Sequence, residues 1–431
     1  MATLRVKAFD LSIPCIVLVI VAAGLIFVMM GTTPFNAHPD EHLHFKAARY
    51  YMSYWDPPAV GDARSKDTYS YFGVSYLDEP DIVYLFAGKF SEALDFTGLS
   101  PFLLTRAFNF ALFIALFVFL LNLSFKIGVP LYGVLLLSPQ IWYVFGYFNG
   151  DAFGFFVGNC LVLELSRFIK GPEKTMPRIG IGFWLGMLLL AKRNYYVLIP
   201  VLAGVAVWHS IFYSKVGQRR ALAKEWLKVL LVAALIALPK IGYQQWVNEF
   251  NLAEKRVEQM EKAAAPGFKP SQVTASGSPW HVNMRVKGRP LQELLSVHRW
   301  HFISFKSMVG VYGWMNVFSP NWYYWAMFLL YTLLFTRACL PSRPFEWTEL
   351  ILTVIGIFGM AASAVVSFLN SWTVAFQAQG RYLFPVFCIF LILLAYKWER
   401  LPKKFFYLGF LSAGLLSLGN FIFVGLGNIP R

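Results

Sequence analysis

Residues 38–45 read His38-Pro39-Asp40-Glu41-His42-Leu43-His44-Phe45 and directly follow the first long apolar run of the chain. Two adjacent carboxylates at a bilayer surface suit general-base chemistry. Moving a sugar onto a hydroxyl requires removal of the acceptor proton as the new bond forms, and a positioned carboxylate can take it. Either Asp40 or Glu41 can be that base, with the other orienting the acceptor. A structural reading competes: Pro39 suits a first helical turn, and an acid beside it favours the positive helix end. One acid would be enough for that role. His38 and His42 are four apart, a spacing used by zinc helices. The intervening Pro39 and the missing His-Glu-x-x-His order weaken that case. No cofactor is expected, with a divalent metal kept as an alternative.

Cations form the second group. By the charge rule developed below, Lys192, Arg193, Arg381 and Arg106 fall on the same outer side as Asp40. Snorkelling towards headgroups explains any one of them. Their recurrence on one face suggests a shared anion, and phosphate suits the fork of Arg and the point charge of Lys. Asp151, in Asn149-Gly150-Asp151, either caps a helix or lines the same cavity. Glu164 lies deeper, near following basic residues, and is assigned no chemistry.

These residues must be held by membrane helices. The 431-residue chain is 57% hydrophobic, 18% aromatic and 14% charged, against a usual apolar share of about 45–50% in soluble domains. A span needs about 20 apolar residues. Such blocks occur at about 11–31, 102–123, 129–148, 150–169, 178–191, 195–213, 227–247, 322–340, 348–369, 382–396 and 405–426. The expected fold class is therefore all-α: a polytopic transmembrane helical bundle of about eleven spans in a single membrane domain. Two long insertions interrupt it, at about 32–101 and 248–321. The net charge of +15 reads as loop bias and not as nucleic-acid binding. With a cytoplasmic N-terminus, Lys and Arg recur in alternate loops: Lys126; Arg167, Lys170, Lys174 and Arg178; Lys215, Arg219, Arg220 and Lys224; Arg337 and Arg343; Lys397, Arg400, Lys403 and Lys404. Both insertions then lie outside. Arg5 and Lys7 precede an apolar run without a clear cleavage site, which reads as a retained signal-anchor. Cys15, Cys160, Cys339 and Cys388 all fall in apolar blocks without paired spacing, so no disulfide is expected.

Residues 40–54 and 81–94 read as amphipathic helices lying flat on the outer leaflet, the second with Ile82, Leu85, Phe86 and Phe90 to one side. The polar stretch 56–79 reads as a mobile loop. In the second insertion, 249–264 reads as a charged helix. A flexible lid follows, carrying Pro266-Gly267 and Ser276-Gly277-Ser278. From His298 onward, Trp300, Phe302, Phe305, Tyr312, Trp314, Phe318, Trp322 and Tyr323 form either an interface belt or a platform for a sugar or isoprenoid.

Taken in order, several short motifs resemble the bacterial polytopic family of domain of unknown function 2142, grouped by analogy with GT-C glycosyltransferases. They are Pro39 to Phe45, Arg106, Asn149-Gly150-Asp151, Ala191-Lys192-Arg193-Asn194-Tyr195, Ser304-Phe305, Gly310 to Trp314, and Gln379-Gly380-Arg381-Tyr382-Leu383-Phe384-Pro385. His42 departs from the pattern, which more often has Pro and Ala before a His-Phe pair such as His44-Phe45. The resemblance implies a GT-C-like bundle in a bacterial plasma (inner) membrane, acting at its outer face in cell-envelope polysaccharide or related chemistry. The expected reaction is inverting transfer of a sugar from a polyprenyl-phosphate donor to a glycan, lipid or protein hydroxyl. The resemblance also implies Asp40, with Glu41, as base, and Lys192, Arg193, Arg381 and Arg106 as donor-phosphate ligands. His42, His44, Asp151, Trp314 and Tyr382 are candidates to line the substrate cavity. A flippase or transporter of lipid-linked saccharides is the alternative. It would use the same basic groove without an acid pair at its mouth, and inverted repeats would be expected. None is evident.

Overall fold

Helix boundaries follow the punctuation residues. In the computed structural model, residues 11–170, 177–212, 219–275, 277–341 and 346–429 are described. The helices are α1 (Ser12–Thr32), α2 (Glu41–Ser53), α3 (Val83–Ala93), α4 (Pro101–Ile127), α5 (Pro139–Gly146), α6 (Gly150–Lys170), α7 (Pro177–Leu189), α8 (Leu198–Phe212), α9 (Arg219–Val247), α10 (Leu252–Ala263), α11 (Glu293–Ser296), α12 (Trp300–Gly310), α13 (Asn321–Cys339), α14 (Trp347–Thr373), α15 (Pro385–Lys397) and α16 (Lys403–Asn420). Pro101, Pro139 and Pro385 each open a helix, where the missing N–H costs nothing. Gly128, at φ 68°, closes α4 in the left-handed conformation. Strand structure among the described residues is one short hairpin that pairs Val311 with Phe318 and Tyr312 with Val317.

Seven stretches of the described residues are long and apolar enough to cross a bilayer: α1, α4, Arg193–Phe212, Leu222–Val247, α14, Gly380–Arg400 and Lys403–Leu426. Helices α6, α7 and α13 stand where further spans were expected but do not meet that measure. The expected span at 129–148 is not one helix. Leu131–Leu136 is a 3₁₀ turn, Ser138 is extended at φ -149°, and α5 begins afresh at Pro139. The Ser138 hydroxyl accepts from the Gln140 N–H, and proline cannot continue a helix through its own nitrogen. This broken segment is nonetheless wholly buried. It forms the centre of the bundle together with α6 and α15, and α1, α4 and α16 pack around it. The basic residues Arg5, Lys7, Lys174, Lys215 and Arg343, and Ser276 of the expected lid, lie outside the described residues.

The two insertions meet at one end of the bundle. Gln244 at the end of α9 donates to the Asp78 carbonyl at 2.6 Å, the Asn248 carboxamide accepts from the Val60 N–H, and the Ala265 N–H donates to the Tyr71 carbonyl. The stretch 56–79 is therefore folded and not an open loop. It forms two 3₁₀ turns, at Ala63–Thr68 and Tyr76–Asp78, with Ser65, Thr68, Leu77 and Asp78 buried. Helices α2 and α3 also depart from simple surface helices. Gly88 brings α3 against the backbone of Ala48 and Tyr51, where a Cβ would lie 2.5 Å from the Ala48 carbonyl oxygen. That close approach buries Val83, Tyr84, Ala87, Gly88 and Ser91, and leaves Phe86 of the expected apolar face turned outward.

Candidate active site at the end of the bundle

Asp40 and Glu41 start α2, and the backbone separates them. Asp40 takes a left-handed conformation at φ 57°, and its carboxylate makes no capping bond. A non-glycine residue there is uncommon, although Asp tolerates it better than most. Glu41 turns inward and is buried. Its carboxylate receives Arg106 Nε at 2.6 Å and Nη2 at 2.8 Å, and also the Asn36 N–H at 2.9 Å. The other Arg106 donors go to the carbonyls of Met30, Thr33 and Pro34. Arg106 is fully buried and has no N–H left for a phosphate. It locks the end of α1 to the start of α2, so the structure does not bring it to the cations with which it was grouped.

The carboxylate of Asp40 is left without a hydrogen bond or ion pair among the described residues. Its charge bears on Tyr76, Tyr147 and Arg381. Arg381 donates Nη1 to the Tyr147 hydroxyl at 2.9 Å and Nε to Gln379 at 2.7 Å, and Nε lies 3.3 Å from Asp151. Lys192 reaches the same Asp151 carboxylate at 2.8 Å. Asp151 does not cap α6; the Asn149 side chain does, accepting from the Asp151 and Ala152 N–H groups. Fully buried, Asp151 instead bridges two cations, and its Oδ1 has no partner among the described residues. Two cations and one carboxylate leave a net positive centre. The Tyr382 ring lies beneath both cations, 5.1 Å from Lys192 Nζ and 5.8 Å from the Arg381 guanidinium carbon, a cation–π arrangement. Arg193 turns to Glu79.

Gly380 makes the Arg381 placement possible. Its N–H donates to the Ser307 hydroxyl of α12, and a Cβ at this position would lie 2.0 Å from the Met308 backbone nitrogen.

The histidines divide. His38 is buried between Thr33 and Tyr143 and stacks on Tyr147 at 4.6 Å. Burial first, and Arg106 second, push its pKa well down. His44 bonds Tyr84 through Nδ1 at 2.9 Å, stacks on Tyr76 at 4.1 Å, and has a buried Nε2 without a partner. Burial, then Lys192 and Arg381, hold its pKa well below the usual range, so it is a neutral imidazole beside the cations. His42 bonds the Asn36 carboxamide and lies 6.4 Å from the Trp314 ring. Trp314 itself donates to the Asn36 carbonyl. Among the described residues no group of three His, Cys, Asp or Glu side chains could hold a metal ion.

A cavity of about 280 Å³ reaches this cluster at Lys192 and Tyr382, and is lined further by Tyr76, Arg193 and Gln377 and by Ser363, Ser367 and Asn370 of α14. The Asn194 carboxamide and the Ser367 hydroxyl have no hydrogen-bond partner among the described residues. Asp81 also lines the cavity. Burial and then Glu79 lift its carboxyl to about 7. Sequence reading did not single out Asp81, Tyr76, Gln377 or the α14 face. The available signal was Ser363, Ser367, Asn370 and Ser371 on one side of a largely apolar span.

The aromatic stretch after His298 divides as well. Tyr312 and Tyr323 are core residues. Phe302, Phe305, Phe318, Trp325 and Phe328 line an open furrow of about 940 Å³ between α12 and α13. Glu164 pairs with Arg167 one turn along α6, and all four cysteines are free.

No curated protein and no solved structure matches the chain. A family model described as a predicted membrane protein, domain of unknown function 2142, matches residues 44–390. That span takes in His44, Arg106, Asp151, Lys192 and Arg381 but begins just after Asp40 and Glu41. Since it covers far more than half of the chain, this membrane protein belongs to the domain of unknown function 2142 family.

Proposed function

We propose that the protein is an inverting glycosyltransferase that takes a sugar from a polyprenyl-phosphate donor to an acceptor hydroxyl at the outer face of the membrane. The observation that carries this reading is the Asp40 carboxylate, unpartnered among the described residues, whose charge reaches Arg381 of the Lys192–Asp151–Arg381 cluster. A free carboxylate within electrostatic reach of a net positive centre supplies the two groups such a reaction needs. One is a base for the acceptor, and the other is a seat for a leaving phosphate.

The donor phosphate binds Lys192 and Arg381, which Asp151 and Tyr382 hold in register. Asp40 takes the proton from the acceptor hydroxyl as its oxygen bonds to the sugar C1. The bond from C1 to the phosphate oxygen breaks, its electron pair leaves with polyprenyl phosphate, and C1 inverts. Glu41 holds Arg106 and takes no part in proton transfer.

Native mass spectrometry of the protein in mild detergent tests the reading. A co-purified polyprenyl phosphate or its sugar adduct is expected, retained in Asp40→Asn but lost in Lys192→Met. Repeated absence of any polyprenyl species from wild-type protein that still carries ordinary phospholipids would overturn it.

A further inference from the structure

Ile82, next in the chain to Asp81, lines a second cavity of about 380 Å³. Tyr51, Trp55 and Asp56 close it on one side, Leu85 of α3 on another, and Lys240 and Tyr243 of α9 on a third. The Lys240 ammonium is shut off from solvent and has no hydrogen-bond partner among the described residues. Asp81 is the carboxylate whose charge reaches it, but the two make no ion pair, and Asp81 is itself only partly ionised at neutral pH. An ammonium withdrawn from water with no ion-pair partner, and with only a partly ionised carboxylate in reach, is costly. The site therefore calls for an anion.

The surroundings indicate which anion. Lys240 lies in a membrane-crossing stretch, beside Pro239 and near its end at Val247. On the surface beside the cavity Trp55 is exposed by 71%, Trp246 by 64% and Tyr243 by 36%. Trp and Tyr mark the lipid headgroup level, and here Trp55, Tyr243 and Trp246 do so together. A soluble anion would make no use of these exposed rings beside the cavity, whereas acyl chains would cover them. At the rim, Asp56 has Arg64 only at 3.5 Å, because Arg64 holds Asp62 at 2.7 Å. Asp56 therefore keeps capacity for a second cation.

We infer that this cavity is a structural phospholipid site, in which Lys240 binds the phosphodiester, Asp56 meets an ammonium headgroup of the phosphatidylethanolamine type, and the chains cover the exposed rings of Trp55, Tyr243 and Trp246. The site is separate from the cation cluster and stands whether or not the protein transfers sugars.

The test is delipidation of the full-length protein followed by titration with nanodiscs of phosphatidylethanolamine or phosphatidylglycerol, read by native mass spectrometry. Wild-type protein should keep one phospholipid that resists detergent exchange and should prefer phosphatidylethanolamine. Lys240→Met should lower retention about tenfold or more, the scale of one charge-assisted hydrogen bond, and Lys240→Arg should restore it. Asp56→Asn should abolish the headgroup preference alone. Equal retention by wild type and Lys240→Met overturns the site, and an unchanged preference in Asp56→Asn overturns the headgroup assignment. Displacement of the lipid by excess inorganic phosphate would assign the site to a free anion instead. Should Lys240→Met fail to fold, the wild-type preference and the phosphate competition still decide the matter.

Discussion

Asp40 and Glu41 are neighbours in the chain, yet their carboxylates do different work: Glu41 is buried on Arg106, and Asp40 is unpartnered. The left-handed backbone at Asp40 makes the division. It lets the Asp40 carbonyl start α2, accepting from the Leu43 and His44 N–H groups at 3.0 Å, while the side chain stays out of the helix cap.

The pair therefore separates by mutation. Asp40→Asn should lower the transfer rate by about 100-fold or more, in the range of general-base removal, with the thermal midpoint unchanged. Glu41→Gln should act chiefly on stability. Breaking a buried ion pair from one side costs about 3–5 kcal/mol, so its midpoint falls sharply. A large midpoint drop in Asp40→Asn, or none in Glu41→Gln, would reverse the assignment.

Arg106 offers a check that does not depend on activity. Arg106→Met leaves Glu41 buried without a counter-charge, held only by the Asn36 N–H, and should be as destabilising as Glu41→Leu. The double variant should recover the part of the loss that comes from a buried unpaired charge, but not the part from the Met30, Thr33 and Pro34 carbonyls that Arg106 satisfies. Thermal unfolding of the two single variants and the double variant gives the coupling directly; simple additivity would argue against the pair.

Lys192 and Arg381 should not be equivalent. Both reach Asp151, but Arg381 also holds Tyr147 and Gln379. Lys192→Gln should weaken donor retention by about 10–100-fold, the loss of one charge-assisted hydrogen bond, with little effect on folding. Arg381→Gln should lower both retention and stability. Equal midpoints for the two variants would contradict the geometry.

Asp81 and Asp78 give the pH prediction. Burial, the larger cause in each, lifts them to about 7 and about 6, against about 3.9 for an unfolded Asp. Below about pH 4 both states are protonated and neither acid matters. Between about pH 4 and 7 the unfolded chain ionises first, so it binds fewer protons and the folded state loses stability as pH rises. Asp81→Asn should flatten this slope and be more stable than wild type at pH 8. Parallel midpoint-versus-pH curves for the two proteins would show that Asp81 is not the group involved.

Much of the site was legible because it broke a rule. Lys192, Arg193 and Arg381 stood against the charge bias of their loops, and two of the three converge on Asp151. The rule could not separate Arg106 from them. Its burial depends on carbonyls released where α1 ends at Thr32, and no local pattern announces that contact. The helical class followed from composition, but the segment 129–148 did not read correctly. A buried, broken helix and a true span are equally apolar, and only Ser138-Pro139 carried the difference. Asp81 was hidden for a related reason: the acidic run Asp78-Glu79-Pro80-Asp81 before an amphipathic helix looks like a solvated cap until α3 is pressed onto α2 at Gly88.

Gly380 carries the last prediction, and it tests how the site is held and not what it binds. The atoms that a new Cβ would meet are the backbone nitrogen and Cα of Met308, at 2.0 and 2.2 Å. A flexible side chain could turn away; a helical backbone cannot. Gly380→Ala must therefore push Gln379-Gly380-Arg381 off α12 and break the bond from the Gly380 N–H to Ser307. Overpacking of this kind typically costs about 1–3 kcal/mol. The displaced Arg381 should lose Asp151, so donor retention falls together with the midpoint. Ser307→Ala removes the same hydrogen bond without the clash and should cost only about 1 kcal/mol, leaving retention nearly intact. If Ser307→Ala were as damaging as Gly380→Ala, the hydrogen bond and not the close approach would be what sets Arg381.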